Sequence, residues 1–138
     1  DNASSDGTGA FLAERKGLRV ITNATNRGCS AAWNQGVEAA NAPWSFILNN
    51  DIVLAQGCIE GLLGFAQESG CCILSPGKAE GEIDYGFTEF AAAFQSRMSR
   101  VVRRGLASGC AFMVHRSVFE RIGLFDVKVG LAGNEDDD

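Results

Sequence analysis

An apolar run that stops at polar residues is the feature that most constrains the fold of this chain. The stretch from Trp44 to Leu54 reads Trp-Ser-Phe-Ile-Leu, then Asn49, Asn50 and Asp51, and then turns apolar again. The first part predicts a strand buried on both faces. Polar groups at the carboxyl end of such a strand lie where open α/β sheets bind ligands.

Asp51 supplies a hard oxygen ligand of the kind that Mg²⁺ or Mn²⁺ prefers. The alternative is an ordinary turn at the end of the strand, because Asn and Asp are common turn residues. The stretch alone favours the turn, so the choice between a metal ligand and a turn residue depends on the other polar clusters of the chain.

Helical and strand patterns alternate along most of the sequence. Helices are predicted over residues 9–16, 30–41, 57–69 and 117–122, with helical spacing in 90–104, and strands over 18–22, 44–48, 71–74, 82–87 and 106–115. Repeated loop–helix–strand order is typical of a largely parallel sheet with helices on its faces. We interpret residues 1–138 as a single domain.

Composition narrows the class of protein and of partner. The chain has 138 residues, 46% of them hydrophobic, and a net charge of −5. This balance indicates a soluble globular domain and argues against nucleic acid as the main partner, since a phosphate backbone rewards a basic surface. No signal peptide, targeting motif or twenty-residue apolar run is present, which makes the cytoplasm the default expectation.

The five cysteines give an odd count and no C-x-x-C spacing. We interpret all of them as small buried hydrophobic residues of a reducing compartment, and not as a disulfide framework or a zinc site. Cys71 and Cys72 are adjacent in a predicted strand, so they are expected to point to opposite faces.

Two basic features admit more than one interpretation. Arg97, Arg100 and Arg104 fall on one face of a predicted helix with Arg103 beside them, which we interpret as a solvated face. The functional alternative is contact with an anionic acceptor or a membrane surface. His115 is the only histidine, and we interpret it as a structural or exposed residue.

Three polar clusters follow or end predicted strands, at residues 1–8, 49–51 and 135–138. The carboxyl ends of parallel strands lie along one edge of a sheet, so these clusters are expected to converge. The sequence contains no serine–histidine pair, nucleophile elbow, P-loop or G-x-G-x-x-G motif. A carboxylate-lined crevice remains, which suits a metal–diphosphate and general-base chemistry.

Five motifs in order resemble one family. They are the residues Asp-Asn-Ala-Ser-Ser-Asp-Gly-Thr at 1–8; Asn-Arg-Gly at 26–28 with Asn34; Leu-Asn-Asn-Asp at 48–51; Ser-Gly-Cys-Ala-Phe-Met-Val at 108–114; and 119–126 followed by Glu-Asp at 135–136. This series is similar to the inverting family-two glycosyltransferases, most of all a rhamnosyltransferase-like branch that builds bacterial surface polysaccharides. The resemblance covers nearly the whole chain.

The resemblance implies a GT-A-like fold: a three-layer α/β/α sandwich with a mostly parallel sheet, here incomplete at the N-terminus. It also implies roles for individual residues. Asp1 would accept a hydrogen bond from the nucleotide base, while Asn26, Gly28, Asn34 and Asn50 would belong to the nucleotide site.

By the same resemblance, Asp51 would hold a divalent metal, Mg²⁺ or Mn²⁺, on the donor diphosphate. Asp136 would be the general base that deprotonates the acceptor hydroxyl. The remaining substrate contacts would come from Ser108, Gly109, Asp126 and Glu135.

Asn49 and Asn50 stand where many relatives carry carboxylates, so weaker metal binding is expected. The family's first strands are absent from the sequence, which predicts an exposed sheet edge and a piece that is inactive alone, self-associating or swapped with a neighbour. The expected partners are a nucleotide-sugar donor and a glycan or lipid-linked acceptor, with peripheral association at the inner face of the membrane. The alternatives are a non-catalytic sugar-nucleotide binding module and a nucleotidyltransferase of related fold.

Overall fold

The computed structural model describes residues 1–99, 101–105 and 107–129. Within these residues the chain forms five α-helices, three strands and a final 3₁₀ turn. In chain order they are α1 (Thr8–Ala13), α2 (Cys29–Ala39), β1 (Trp44–Leu48), α3 (Cys58–Ser69), β2 (Ile73–Leu74), α4 (Phe87–Met98), β3 (Ala111–His115), α5 (Arg116–Ile122) and the 3₁₀ turn Val127–Val129.

The sheet has the order β1-β3-β2, and β3 is antiparallel to both neighbours. Trp44 pairs with His115 and Leu48 with Ala111, while Leu74 pairs with Met113. β1 and β2 therefore run in the same direction, as loop–helix–strand order predicts, but β3 lies between them and runs the other way. After β2 the chain passes through α4 and enters β3 from the same end of the sheet at which β2 finishes.

The core lies on both faces of β3. On one face Ile47, Phe112 and Val114 are buried and covered by side chains of α2, α5 and residue Phe125. On the other face Met113 and Leu74 pack with Ala66 of α3. The alternation of a strand places successive side chains on opposite faces, so β3 supplies a core to each helical layer. The predicted α/β class with helices on both faces of the sheet is confirmed.

Aromatic packing fixes the helix α2 to the sheet, and two arginines bond to carbonyl groups at its C-terminal end. Trp33 makes edge-to-face contacts with Phe112 and Phe125 at ring-centroid distances of 5.7 and 5.3 Å. At its other end, Arg19 donates to the Ala39 carbonyl oxygen at 2.7 Å, and Arg116 donates to that of Ala40. These guanidinium groups satisfy carbonyl groups that a helix C-terminus leaves without intrahelical partners.

Two predicted strands do not form. Residues 18–22 are not a strand; Ile21 accepts a hydrogen bond from the Asp1 nitrogen at 2.7 Å, and Leu18 is 56% exposed. A strand needs a neighbour along its length, and this segment is paired only at residue 1. Residues 82–87 also lack strand structure: residues 82–86 are irregular, and Phe87 begins α4. In the part of the chain that the structure describes, no helix is long and apolar enough to cross a membrane.

Candidate functional site

The carboxyl ends of β1 and β2 meet the start of β3 at one edge of the sheet. The backbone N–H of Asn49 donates to the Cys110 carbonyl oxygen at 2.9 Å. The Ser75 hydroxyl, just after β2, donates to the Ala111 carbonyl oxygen at 2.6 Å and accepts from the Ser108 N–H at 3.0 Å. The segment 49–51 and the Ser108–Gly109 turn are thus held at the same edge.

Asn49, Asn50 and Asp51 leave the strand as an exposed turn. Their backbone is anchored through Asn49, whereas all three residues are open to solvent. A carboxylate and two amide oxygens are hard donors, which fits a Mg²⁺ or Mn²⁺ ion that takes its other ligands from phosphate and water. Among the residues described, no three His, Cys, Asp or Glu side chains converge to form a metal cage.

A second group of site residues is built around Asn2. Its side-chain nitrogen donates to the Asn26 side-chain oxygen at 2.9 Å and to the Gly28 carbonyl oxygen at 3.1 Å. Its side-chain oxygen accepts from the Arg27 N–H and from the Asn23 side chain, each at 3.0 Å. Asn2 thereby joins the first loop of the chain to the loop before α2.

Sequence reasoning placed Asn26 and Gly28 in the site but missed the organising role of Asn2. The missed signal was a carboxamide in a polar loop, because one amide supplies both donors and an acceptor and can connect several backbone groups. Asn23 and Gln35 extend this network by exchanging two side-chain hydrogen bonds of 2.9 Å.

Gly28 is buried and has φ 84° and ψ 167° immediately before α2. This backbone conformation strongly favours glycine, so the Asn-Arg-Gly sequence sets where α2 begins. Asp1 lies in the same group, since its carbonyl oxygen accepts from the Asn23 N–H at 2.9 Å. Its carboxylate accepts hydrogen bonds from both the N–H and the hydroxyl of Ser4.

A third group joins Asn34 to the segment after α5. The Asn34 side chain donates to the Phe125 carbonyl oxygen at 2.8 Å and accepts from the Phe125 N–H at 3.0 Å. Asp126 is the next residue, and its carboxylate accepts from the Lys128 N–H at 2.8 Å. The amide of Asn34 thus fixes the backbone beside Asp126, and its role in a nucleotide site stays a prediction.

Two predicted residues lie outside the described part of the chain. They are Glu135 and Asp136, the substrate contact and the general base that the resemblance implies, and their roles stay predictions. His115 is half-buried, and its Nδ1 accepts from the Ser117 N–H at 3.3 Å at the start of α5. This helix-capping position agrees with the structural interpretation of His115.

The prediction that all five cysteines are buried is wrong for Cys71 and Cys72, which are exposed. They do not alternate across a strand either, because β2 begins only at Ile73. Both line one open depression of the surface together with Trp44 and His115. Cys58 is half-buried, and burial followed by the negative charge of Glu60 raises the pKa of its thiol.

Comparisons with known proteins identify the family of the chain and a solved structure of similar fold. The model of the family described as "Glycosyl transferase family 2" matches residues 1–123. A solved structure of similar fold is the mannosyltransferase PcManGT from Pyrobaculum calidifontis in complex with GDP-Man and Mn²⁺, with a TM-score of 0.70 and 21% sequence identity. The match covers 99% of this chain and only 39% of that one. No match was found among curated proteins.

Proposed function

Because the chain belongs to glycosyl transferase family 2, we propose that it forms part of an enzyme that transfers a sugar from a nucleoside-diphosphate donor to an acceptor hydroxyl. The observation that carries this proposal is the shared edge, where Asn49 is hydrogen-bonded to Cys110 and the exposed Asp51 lies two residues further on. A donor placed there would meet a carboxylate and the Ser108–Gly109 turn together.

Asp51 is the residue that would hold a divalent ion, with Asn49 and Asn50 as neutral neighbours. When bound, such an ion neutralises the charge that develops on the departing diphosphate. The fold shared with a protein that was solved with GDP-Man and Mn²⁺ supports this choice of donor class and of ion. A single carboxylate at this turn implies weak binding of the metal in the absence of donor.

The network around Asn2 would support the nucleoside. It fixes the backbone of residues 26–28 through the hydrogen bonds to Asn26, Arg27 and Gly28. Asp1 would accept a hydrogen bond from the base. Asn34 would act in part through Phe125, by keeping Asp126 near the bound sugar.

The reaction would be a single displacement with inversion. The acceptor oxygen bonds to the anomeric carbon as the bond from that carbon to the diphosphate oxygen breaks. Asp136 takes the proton of the acceptor hydroxyl, and Glu135 beside it contacts the substrate. A positioned carboxylate in this role contributes about 10²- to 10⁴-fold to the rate.

We place the enzyme in the synthesis of bacterial surface polysaccharides, at the inner face of the membrane, with a glycan or lipid-linked acceptor. This assignment follows from the rhamnosyltransferase-like motifs of the sequence. A donor panel that includes dTDP-rhamnose and GDP-mannose separates the two sugars to which the motifs and the structural similarity point.

The full-length protein, incubated with Mn²⁺, an acceptor and such a panel, is expected to release nucleoside diphosphate from one donor. Asp136→Asn should lower turnover by about 10²-fold or more, since it removes the base. Asp51→Asn should raise the Mn²⁺ concentration needed for half-maximal rate. Asp84→Asn, at an exposed carboxylate outside the proposed site, is the matched control and should leave both quantities unchanged.

A second candidate function is favoured by Asn49 and Asn50, which weaken the acidic motif. It is a non-catalytic module that binds sugar nucleotides. Calorimetry with UDP, GDP and dTDP, with and without Mn²⁺, distinguishes the two functions. Binding by the full-length protein without turnover of any donor would reject the transferase and favour the module.

A further inference from the structure

The helix α4 has an apolar stripe that the domain only partly covers. Phe87, Phe90, Phe94 and Met98 share one face of the helix at spacings of three and four residues, yet none of its residues is buried. Among its contacts, Phe94 and Met98 lie beside Gly77, and the Gln95 side chain donates a 3.1 Å hydrogen bond to the Gln56 carbonyl oxygen. α4 therefore lies on the surface of the domain.

An aromatic row runs along this helix toward its basic end. Tyr85 contacts Phe90 at a ring-centroid distance of 4.6 Å, and Phe90 stacks on Phe94 at 5.9 Å. The Arg97 guanidinium lies 5.6 Å from the centroid of the Phe94 ring. The apolar stripe thus ends at a cation that is itself exposed.

The segment after α4 exposes apolar and basic side chains side by side. Val101 is 47% exposed and Val102 is 58% exposed. Arg103 and Arg104 follow directly and are exposed as well. We call Arg97, Val101, Val102, Arg103 and Arg104 the Val–Arg surface.

The sequence segment that carries this surface is positively charged, opposite to the net charge of the whole chain. The protein carries a net charge of −5, but residues 90–119 contain no Asp or Glu. The arginines of the Val–Arg surface therefore have no acidic neighbour in sequence to neutralise them. A basic surface with an exposed apolar centre is complementary to the anionic headgroups of a bilayer, into whose interface small apolar side chains insert.

We propose that the Val–Arg surface docks the protein on an anionic lipid bilayer. The valines enter the headgroup region, and the guanidinium groups bind lipid phosphates. Ser108 is hydrogen-bonded to Ser75 in the candidate site, and it lies four residues after Arg104. Docking therefore brings the candidate site toward a lipid-linked acceptor. This last step rests on the proposed function, whereas binding to the bilayer does not.

Co-sedimentation of the protein with vesicles tests the proposal. Binding is expected to vesicles of phosphatidylglycerol and phosphatidylcholine, to be much weaker to phosphatidylcholine alone, and to fall as salt is added. Each arginine near an anionic surface contributes roughly fivefold to the partition coefficient. Arg103→Gln with Arg104→Gln should therefore reduce binding by about 25-fold.

The matched control replaces two exposed arginines elsewhere, Arg15 and Arg121, by Gln and removes the same charge. An equal loss of binding in this control would overturn the proposal, since it would show attraction by overall charge. Val101→Ser with Val102→Ser should also reduce binding to anionic vesicles, and unchanged binding would overturn the insertion of the valines. Circular dichroism of each variant checks that the fold is kept.

A second copy of the chain is the competing occupant of this surface. Sedimentation velocity without lipid identifies it: a dimer that the Val101→Ser and Val102→Ser variant dissociates would overturn the membrane assignment. Turnover with a soluble acceptor should be unaffected by substitutions at residues 101–104. A failure to bind vesicles is therefore distinguishable from a failure of the transferase proposal.

Discussion

At the scale of single residues, amides rather than carboxylates organise the candidate site. Asn2 connects the loops that carry Asn26 and Gly28, and Asn34 holds the Phe125 backbone from both sides. A carboxamide can do this because it donates and accepts at once. Asp51 is exposed, and its role as a metal ligand stays a prediction.

Replacement of Asn34 tests the structural role of its side-chain amide. Asn34→Ala leaves the half-buried Phe125 N–H and carbonyl oxygen without their side-chain partner, so we expect a loss of about 1–3 kcal/mol in the free energy of unfolding. Urea unfolding of the protein measures it. Gln95→Ala, which removes an exposed carboxamide bonded only to Gln56, is the control and should cost about 0.5 kcal/mol or less. Equal losses in the two variants would contradict the structural role of Asn34.

Thiol reactivity provides a second prediction at this scale. Cys71 and Cys72 are exposed, whereas the pKa of Cys58 is raised above its ordinary value of 9.0 by burial and by Glu60. A raised pKa means that the Cys58 thiolate, which is the reactive form, appears only at higher pH. Iodoacetamide near neutral pH should therefore modify Cys71 and Cys72 first, and peptide mass spectrometry identifies the order.

Cys71→Ser with Cys72→Ser should remove the fast phase of this alkylation and leave the slow phase. Glu60→Gln should lower the pH at which Cys58 reacts, because it removes the charge that opposes the thiolate. Modification of Cys58 before the exposed pair would show that Cys58 is more accessible and more easily ionised than its position in α3 implies.

At the scale of elements, β3 is the strand on which the domain depends. It pairs with both neighbours and supplies Phe112 and Val114 to one core and Met113 to the other. Its four residues from Ala111 to Val114 are buried. β3 therefore supplies side chains to the packing on both faces of the sheet.

Met113 is the most buried large side chain among the described residues, at 2% exposure. Met113→Ala should lower the free energy of unfolding by about 2–5 kcal/mol, because it removes buried apolar atoms and leaves a cavity between β3 and α3. Ile122→Ala, at a side chain that is 77% exposed, should cost about 0.5 kcal/mol or less. Chemical denaturation compares the two variants, and a similar cost for both would contradict the central place of β3.

Helix periodicity placed the end of α4 six residues too late, since 90–104 was predicted and Phe87–Met98 is observed. It predicted the other four α-helices of the described residues to within three residues at each end. The amphipathic spacing in 30–41 and 57–69, for example, corresponds to Cys29–Ala39 and Cys58–Ser69. A helix satisfies its own backbone hydrogen bonds, so its local pattern is nearly sufficient to define it. The same holds for the turn at Asn49–Asp51, whose polar residues end β1.

Strands were predicted less well, because a strand exists only through its partners. Residues 18–22 have the apolar character of a strand, yet they are paired only at residue 1. Residues 71–72 fall in the bend before β2, which explains the failed prediction for both cysteines. The antiparallel direction of β3 depends on the path after α4, which no local pattern encodes. Asn2 was missed for the same reason, since its partners are more than 20 residues away.

At the scale of the whole molecule, the described residues form a three-layer core with exposed apolar side chains near the segment 18–22. The chain spans 39% of the mannosyltransferase whose fold it shares. Apolar residues are exposed near the segment 18–22, with Leu18 at 56%, Val20 at 41% and Phe11 at 54%. Backbone groups without strand partners and exposed apolar side chains together promote edge-to-edge association.

The 138-residue chain is therefore expected to self-associate through residues 18–20 as its concentration rises, which sedimentation velocity over a dilution series measures. Val20→Lys should shift the distribution toward monomer, because a charge on an edge opposes pairing with a second copy. Ile122→Lys introduces the same charge at an exposed apolar residue of α5 and should leave self-association unchanged. Monomers at every concentration, or equal effects of the two lysines, would show that the segment 18–20 is not an association edge. Its apolar side chains would then be ordinary surface residues with no tendency to pair with a second copy of the chain.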